Sequence, residues 1–227
     1  MASGIMERNG KSSQETLGSD VKIIVVGEKK CGKSRFIEVF TQRLGNTSGR
    51  PYEAGFARVY QCLYEIDSEP RHIKIFEIIG GFDNLVDQLT KLHFDANGIV
   101  FLYAVDDPPS FQAITDKWMK TLEENRCWTN QPSILVGNKK DLREDRRVIQ
   151  RLARNNRTPV TRQQGESLVK GKIMKYFDCS SIDENDSGVH DAFDFIVSHG
   201  LMDWKKDNEA FQNVLSLLQL GNLPGNV

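Results

Sequence analysis

The chain has 227 residues, 27% of them charged, with a formal net charge of −1 and a hydrophobic share of 39%. That length suits one domain with a real core and is short for two. The near-neutral balance argues against a protein held to nucleic acid by overall charge, and the apolar share argues against a disordered chain.

Residues 1–20 are rich in Ser, Gly and charge and read as a flexible lead-in. VKIIVV (21–26) is a buried strand, followed by GEKKCGKS (27–34). From Lys33 to Leu44, Phe36, Ile37, Val39 and Phe40 give a helix an apolar face, and GNTSGR (45–50) is a loop. Arg58–Ile66 is a strand with Tyr60, Cys62, Tyr64 and Ile66 on one face. DSEPR (67–71) is turn chemistry and His72–Ile79 the returning strand of a hairpin, ended by Gly80 and Gly81. A short helix with Leu85, Val86, Leu89 and Leu92 follows.

GIVFLYAV (98–105) is apolar on both faces, as a central strand covered by helices must be. Helix signals run from Pro109, with Phe111, Ile114, Trp118 and Leu122 at helical spacing. Ile134–Val136 and Tyr176–Cys179 are further strands, and Val189, Phe193, Ile196 and Val197 mark the last helix. No internal repeat is present. Strands alternating with helices predict an α/β three-layer sandwich of the phosphate-loop type, with a mostly parallel six-stranded sheet and one antiparallel edge strand. The expected domain spans residues 21–201, with a basic insertion around 143–158 and an apolar tail at 202–227.

GEKKCGKS matches G-x-x-x-x-G-K-[ST] at every specified position. Backbone N–H groups of such a turn wrap phosphates, and the start of the following helix adds partial positive charge. The expected phosphate-binding set is Gly27, Lys29, Lys30, Cys31, Gly32, Lys33, Ser34 and Arg35. Lys33 reaches the terminal phosphates in this pattern, and Ser34 offers its hydroxyl to Mg²⁺. Lys29 and Lys30 either strengthen anion binding, crowd out an attacking water, or point into solvent. NKKD (138–141), directly after SILVG, carries base selection. Asp141 can accept two hydrogen bonds from the N1–H and 2-amino group of guanine, a pair that adenine lacks. Lys139 would lie along the base and Asn138 would tie this turn to the phosphate loop. An ATP-using phosphate-loop kinase requires NKKD to be accidental.

On GEKKCGKS, ANGIVFLYAVDDPPSF (96–111), LVGNKKDL (135–142) and CSSI (179–182), the sequence resembles the Ras superfamily of small GTPases over residues 21–201. The Rab branch looks nearest, and TPVTRQQGESLVK (158–170) also resembles the helix after the guanine loop in Rab proteins. The resemblance implies GTP or GDP with Mg²⁺ as ligands, and protein effectors and regulators as partners. It places Ser180 and Ser181 on guanine, with Ile182 where a lysine is usual. It also marks departures. Glu77 stands for the aspartate of D-x-x-G and would hold a magnesium-bound water with longer reach. Gly80 is kept for a γ-phosphate contact, and Gly81 replaces the glutamine that orients the attacking water. Glu53 aligns with the threonine that closes over Mg²⁺, with Thr47 and Ser48 as gapped alternatives. No residue is therefore assigned as catalytic, and intact binding with slow hydrolysis is expected. The readings are a slow GTP-binding switch, or a nucleotide-bound scaffold in a trafficking or ciliary transport complex.

Arg143–Arg162 holds seven arginines (143, 146, 147, 151, 154, 157 and 162) against Glu144 and Asp145. It is either a solvated segment or a docking patch for an acidic partner or anionic lipid. FQNVLSLLQLGNLPGNV (211–227) has no charge and puts Phe211, Val214, Leu215 and Leu218 on one face. Residues 208–220 are either a helix packed on the domain or a helix-in-groove ligand. Cys31, Cys62, Cys127 and Cys179 have no zinc spacing and are expected as reduced thiols. The start lacks a signal core and the end lacks a cysteine, so a cytoplasmic protein without a covalent lipid anchor is expected, with any membrane or ciliary attachment made through partners.

Overall fold

The structure is a computed structural model that describes residues 21–45, 50–55, 57–66, 68–79, 96–172 and 174–200. Its elements in chain order begin with β1 (Val21–Val26), α1 (Lys33–Leu44), β2 (Tyr52–Ala54), β3 (Ala57–Ile66), β4 (Glu69–Ile78) and β5 (Gly98–Ala104). A helix follows in three pieces: α2 (Pro108–Ala113), a π-helical turn (Ile114–Met119) and α3 (Lys120–Glu124). β6 (Ser133–Asn138), a 3-10 turn (Lys140–Leu142), α4 (Arg146–Ala153), α5 (Arg162–Val169), β7 (Met174–Asp178) and α6 (Gly188–Gly200) complete the domain.

The strands form one sheet in the order β2-β3-β4-β1-β5-β6-β7. β1 pairs in parallel with β4 and β5, β5 with β6, and β6 with β7. β3 is antiparallel to both β4 and β2. The fold is thus the α/β sandwich expected, with two differences. Among the described residues the sheet has seven strands, and the reversed strand is internal because Tyr52–Ala54 adds outside it. All three β2 residues are exposed, so backbone pairing rather than burial holds them and no apolar alternation announces them. The hairpin turn is also tighter than DSEPR implied, since Ile66 already pairs with Glu69.

Two apolar layers sandwich the sheet. On one face α1 and α6 cover β1, β4 and β5, with Phe193 stacked on Phe40 at 4.0 Å and on Phe36 at 4.9 Å between ring centroids. On the other, Ile114, Trp118 and Leu122 from the broken helix pack on Ile99, Phe101 and Tyr103 of β5. Every residue of β5 is buried. Sequence order reverses around β1, with β4 on one side and β5 on the other. The described loops beyond the carboxyl ends of β1, β5, β6 and β7 therefore meet at one crevice, where open α/β sheets bind ligands.

Candidate nucleotide site

The loop after β1 is shaped by two glycines. A Cβ on Gly27 would lie 2.0 Å from the carbonyl oxygen of Leu102, and one on Gly32 would lie 2.4 Å from Asn138 Nδ2. Both have positive φ, 149° and 98°. Lys33 is buried, and its ammonium donates to the carbonyls of Gly27 at 2.9 Å and Glu28 at 3.0 Å, so it lies across its own loop. Lys29 and Lys30 are exposed. They line a cleft of about 700 Å³ with Lys33, Glu77, Lys117 and Trp118. Cys31 is buried, and burial pushes its thiol up to about 11, so it is a packing residue with an inert sulfur.

The other loops close on this one through Asn138, which is 1% exposed. Its Nδ2 donates to the Cys31 carbonyl at 3.0 Å. Its Oδ1 accepts from Ser181 Oγ at 2.9 Å, the Ser181 N–H at 3.3 Å and the Lys139 N–H at 2.8 Å. Beside it, Ser180 Oγ donates to Asp141 Oδ1 at 2.5 Å. The Lys140 N–H donates to the Cys179 carbonyl at 2.9 Å. Asp186, missed in the sequence, braces this seam: it accepts from the Ser180 N–H at 2.6 Å and pairs with Lys140 at 2.9 Å. Burial works against its charge, but these donors and the Gly188 N–H prevail and hold its carboxyl below the usual range. Lys140, Asp141, Ser180 and Asp183 border a hollow of about 320 Å³, and Ile182 is 72% exposed.

Lys139 takes a left-handed backbone, φ 61°, and its ammonium reaches Asp106 at 3.2 Å. Asp106 also accepts from Arg151 at 3.0 Å, so a residue of the basic segment touches the same acid as the base-turn lysine. Arg143 is bidentate on Asp178, at 2.5 and 2.8 Å. Arg162 pairs with Glu166 at 2.7 Å. Three of the seven arginines therefore hold the fold's own acids, and Arg146, Arg147, Arg154 and Arg157 are exposed. α4 itself is capped by Asp145, which accepts from the N–H groups of Arg147 and Val148.

The expected phosphate set is not uniform. The Arg35 side chain donates to the Ser181 carbonyl at 3.2 Å and approaches Glu38 at 4.0 Å, so its guanidinium serves the seam between loops. Ser34 Oγ donates to Glu77 Oε1 at 2.5 Å. The other Glu77 oxygen accepts from Tyr60 at 2.9 Å and from Arg58 at 3.4 Å. Burial pushes the Tyr60 hydroxyl up to about 12, aided by the Glu77 carboxylate and opposed by Arg58. Glu53 sits on β2 and pairs with Arg58 at 3.6 Å. The sequence reading gave Arg58 and Tyr60 only a strand and Glu28 no role at all. Glu28 accepts from Lys117 at 2.7 Å and Trp118 at 3.2 Å, which ties the phosphate loop to the π-helical turn. Gly80, Gly81, Thr47, Ser48, the 85–92 helix and the 208–220 segment lie outside the described residues.

A sheet whose switch point carries this loop defines a phosphate-loop nucleotide-binding domain. The Ras family model matches residues 22–201, and the chain belongs to the Ras family of small GTPases. Among its relatives is the GTP-binding protein rho1 of Schizosaccharomyces pombe, 29% identical over 175 residues that cover 76% of this chain and 82% of rho1. Another is the human Rho-related GTP-binding protein RhoD, 30% identical over 199 residues that cover 84% of this chain and 90% of RhoD. Both are Rho-type, so the Rab branch expected from residues 158–170 finds no support in them. No helix among the described residues is long and apolar enough to cross a membrane.

Mg²⁺ is typical of the family. Ser34 Oγ and Glu77 Oε1 are hard oxygen donors held side by side, which suits that ion. The described residues gather no group of three or more His, Cys, Asp or Glu that would complete a cage. A divalent ion here would draw its remaining ligands from phosphate and water, as Mg²⁺ commonly does.

Proposed function

We propose that this protein binds GTP and GDP with Mg²⁺ and acts as a molecular switch with slow intrinsic hydrolysis, read by effector and regulator proteins. The observation that carries the reading is the Asn138 side chain, which joins the phosphate loop, the NKKD turn and the Ser180–Ser181 loop in one buried bond set. Three segments that could each arise by chance are thereby brought to one crevice. In this reading Gly27, Cys31, Gly32, Lys33, Ser34 and the Arg35 backbone cradle phosphate, with Lys29, Lys30 and Gly80 at its outer edge. Asn138, Lys139, Asp141, Ser180, Ser181 and Ile182 surround guanine. Ser34 and Glu77 face the metal, and the phosphates supply the charge it neutralises. Gly81 has no side chain with which to orient water, and this supports slow turnover.

A second reading, a nucleotide-bound scaffold without switching, is favoured by one observation. Both Glu77 oxygens are already engaged, by Ser34 on one side and by Tyr60 and Arg58 on the other. Identification of the co-purifying nucleotide, followed by single-turnover GTP hydrolysis with Mg²⁺, tests both. Turnover with hydrogen-exchange protection that differs between GTP and GDP supports the switch. Tight binding with identical protection and no turnover supports the scaffold. A preparation that stays empty in excess guanine nucleotide overturns both. The exposed Arg146, Arg147, Arg154 and Arg157 are the part of the basic segment open to an acidic partner or anionic lipid.

A further inference from the structure

Three residues that stand opposite one another in the sheet register alternate in charge. Glu53 on β2 faces Arg58 on β3, and Arg58 faces Glu77 on β4. Directly opposed side chains on one face of a sheet meet, so this row is a ladder from the exposed edge to the phosphate end of the site. Arg58 divides its guanidinium between the two acids, with Nη2 3.6 Å from Glu53 Oε1 and Nη1 3.4 Å from Glu77 Oε2. The Glu77 side chain is 5% exposed and that of Glu53 is 66% exposed. The buried acid, which faces the metal in the nucleotide reading, therefore carries a permanent cation of its own.

We propose that Arg58 competes with a divalent cation for Glu77, so that the nucleotide complex holds its metal weakly, and that Glu53 sets the strength of that competition. The inference rests on the nucleotide reading above. A divalent ion drawn to Ser34 Oγ and Glu77 Oε1 meets a second positive charge at the other oxygen of the same carboxylate. Their repulsion acts through a carboxylate that is 5% exposed, where salt and solvent screen less than at the surface. Arg58 cannot relieve it by losing a proton, because a guanidinium stays charged in proteins. It must move, and Glu53 is the acid already within its reach on the edge side. Metal entry is thereby coupled to the pairing of the three-residue edge strand β2.

The test loads the protein with GDP in metal-free buffer, confirms loading with a fluorescent GDP analogue, and titrates Mn²⁺ while electron paramagnetic resonance reads the free ion. Arg58→Gln should bind Mn²⁺ about tenfold more tightly than wild type. Arg58→Lys keeps the charge and should match wild type. Glu53→Gln leaves Arg58 wholly to Glu77 and should bind Mn²⁺ about threefold more weakly. Because Glu53 is exposed, that variant carries the test if Arg58→Gln does not fold. Tyr60→Phe removes a donor from the same oxygen without removing charge and should stay within about twofold of wild type. Equal Mn²⁺ affinity in wild type, Arg58→Gln and Glu53→Gln, with GDP bound to all three, overturns the inference and leaves the nucleotide reading standing. An equal gain in Arg58→Gln and Tyr60→Phe also overturns it, since hydrogen bonding rather than charge would then govern the site. A wild type that takes up no GDP overturns the nucleotide reading and this inference with it.

Discussion

At the base end of the site one buried amide, Asn138, collects bonds from three loops, and every one of its partners is a backbone group or a short hydroxyl or thiol side chain. At the phosphate end one buried carboxylate, Glu77, collects Ser34, Tyr60 and Arg58, and the longest of those arms comes from β3, one strand in from the edge. The first arrangement is closed and neutral, so it fixes geometry and leaves Asp141 at its rim for a ligand. The second contains two opposite charges whose balance changes when any further cation or phosphate arrives. On the proposed reading, base recognition and turnover would therefore rest on separate ends of the site, one fixed by a neutral bond set and the other by a charged one.

The largest effect expected from breaking that contrast is at its rigid end. Asn138→Ala orphans the Cys31 carbonyl and the Ser181 donors in a buried setting, at a cost of about 4 kcal/mol in stability. Urea unfolding reads the loss, and guanine-nucleotide binding should disappear with it. Asp141→Asn is the sharper probe, because Asp141 is exposed and asparagine keeps an oxygen that can accept from Ser180. Stability should change little while GDP affinity falls about 100-fold, or about 2.7 kcal/mol. Titration calorimetry that finds GDP affinity unchanged would remove Asp141 from the base pocket.

The two ends also differ in how far the sequence announced them. NKKD and GEKKCGKS are contiguous, so their residue types and spacing could be read directly. α1 was legible because Phe36, Ile37 and Phe40 repeat at helical spacing and Gly45 with φ 64° ends the helix. β5 was legible as an unbroken apolar run. The Arg58–Glu77 pair was not, because it depends on the β3–β4 register, and a register shift of one residue would send Arg58 to the opposite face. Glu28 meets Lys117 and Trp118 across 89 and 90 residues, a contact with no local signature. The π-helical turn at Ile114–Met119 was equally silent, since Ile114, Trp118 and Leu122 keep an apolar stripe with or without it. The seven arginines looked like one patch in sequence. The structure divides them, because Asp106, Asp178 and Glu166 take three.

A smaller effect is expected at the rewired end. Glu77→Asp shortens the side chain by one methylene and withdraws it from Ser34, Tyr60 and Arg58 together. If the length of Glu77 is what slows turnover, single-turnover GTP hydrolysis in saturating Mg²⁺ should rise about tenfold, equivalent to about 1.4 kcal/mol in the barrier. GDP affinity should hold, since the base end is untouched. An unchanged rate would remove the length of Glu77 as a limit on turnover.

The smallest effect concerns the seam beside the base turn and is read by pH. Asp186 is held below the usual carboxylate range in the folded protein, although burial alone would raise it, because Lys140 and the N–H groups of Gly188 and Ser180 favour its charged form. A depressed folded value means that the unfolded chain takes up a proton first as pH falls. The stabilisation is therefore complete above the unfolded carboxyl value of about 4 and is lost as pH drops through the folded value. Asp186→Asn should cost about 1 kcal/mol at pH 7, and the gap between variant and wild type should close below about pH 4. Guanidinium unfolding at a series of pH values reads this directly. A gap that persists into acid would assign the role of Asp186 to packing rather than to its charge. The acid lies behind Ser180 and away from the Arg58 ladder, so its loss should leave the Mn²⁺ affinity of the GDP complex unchanged.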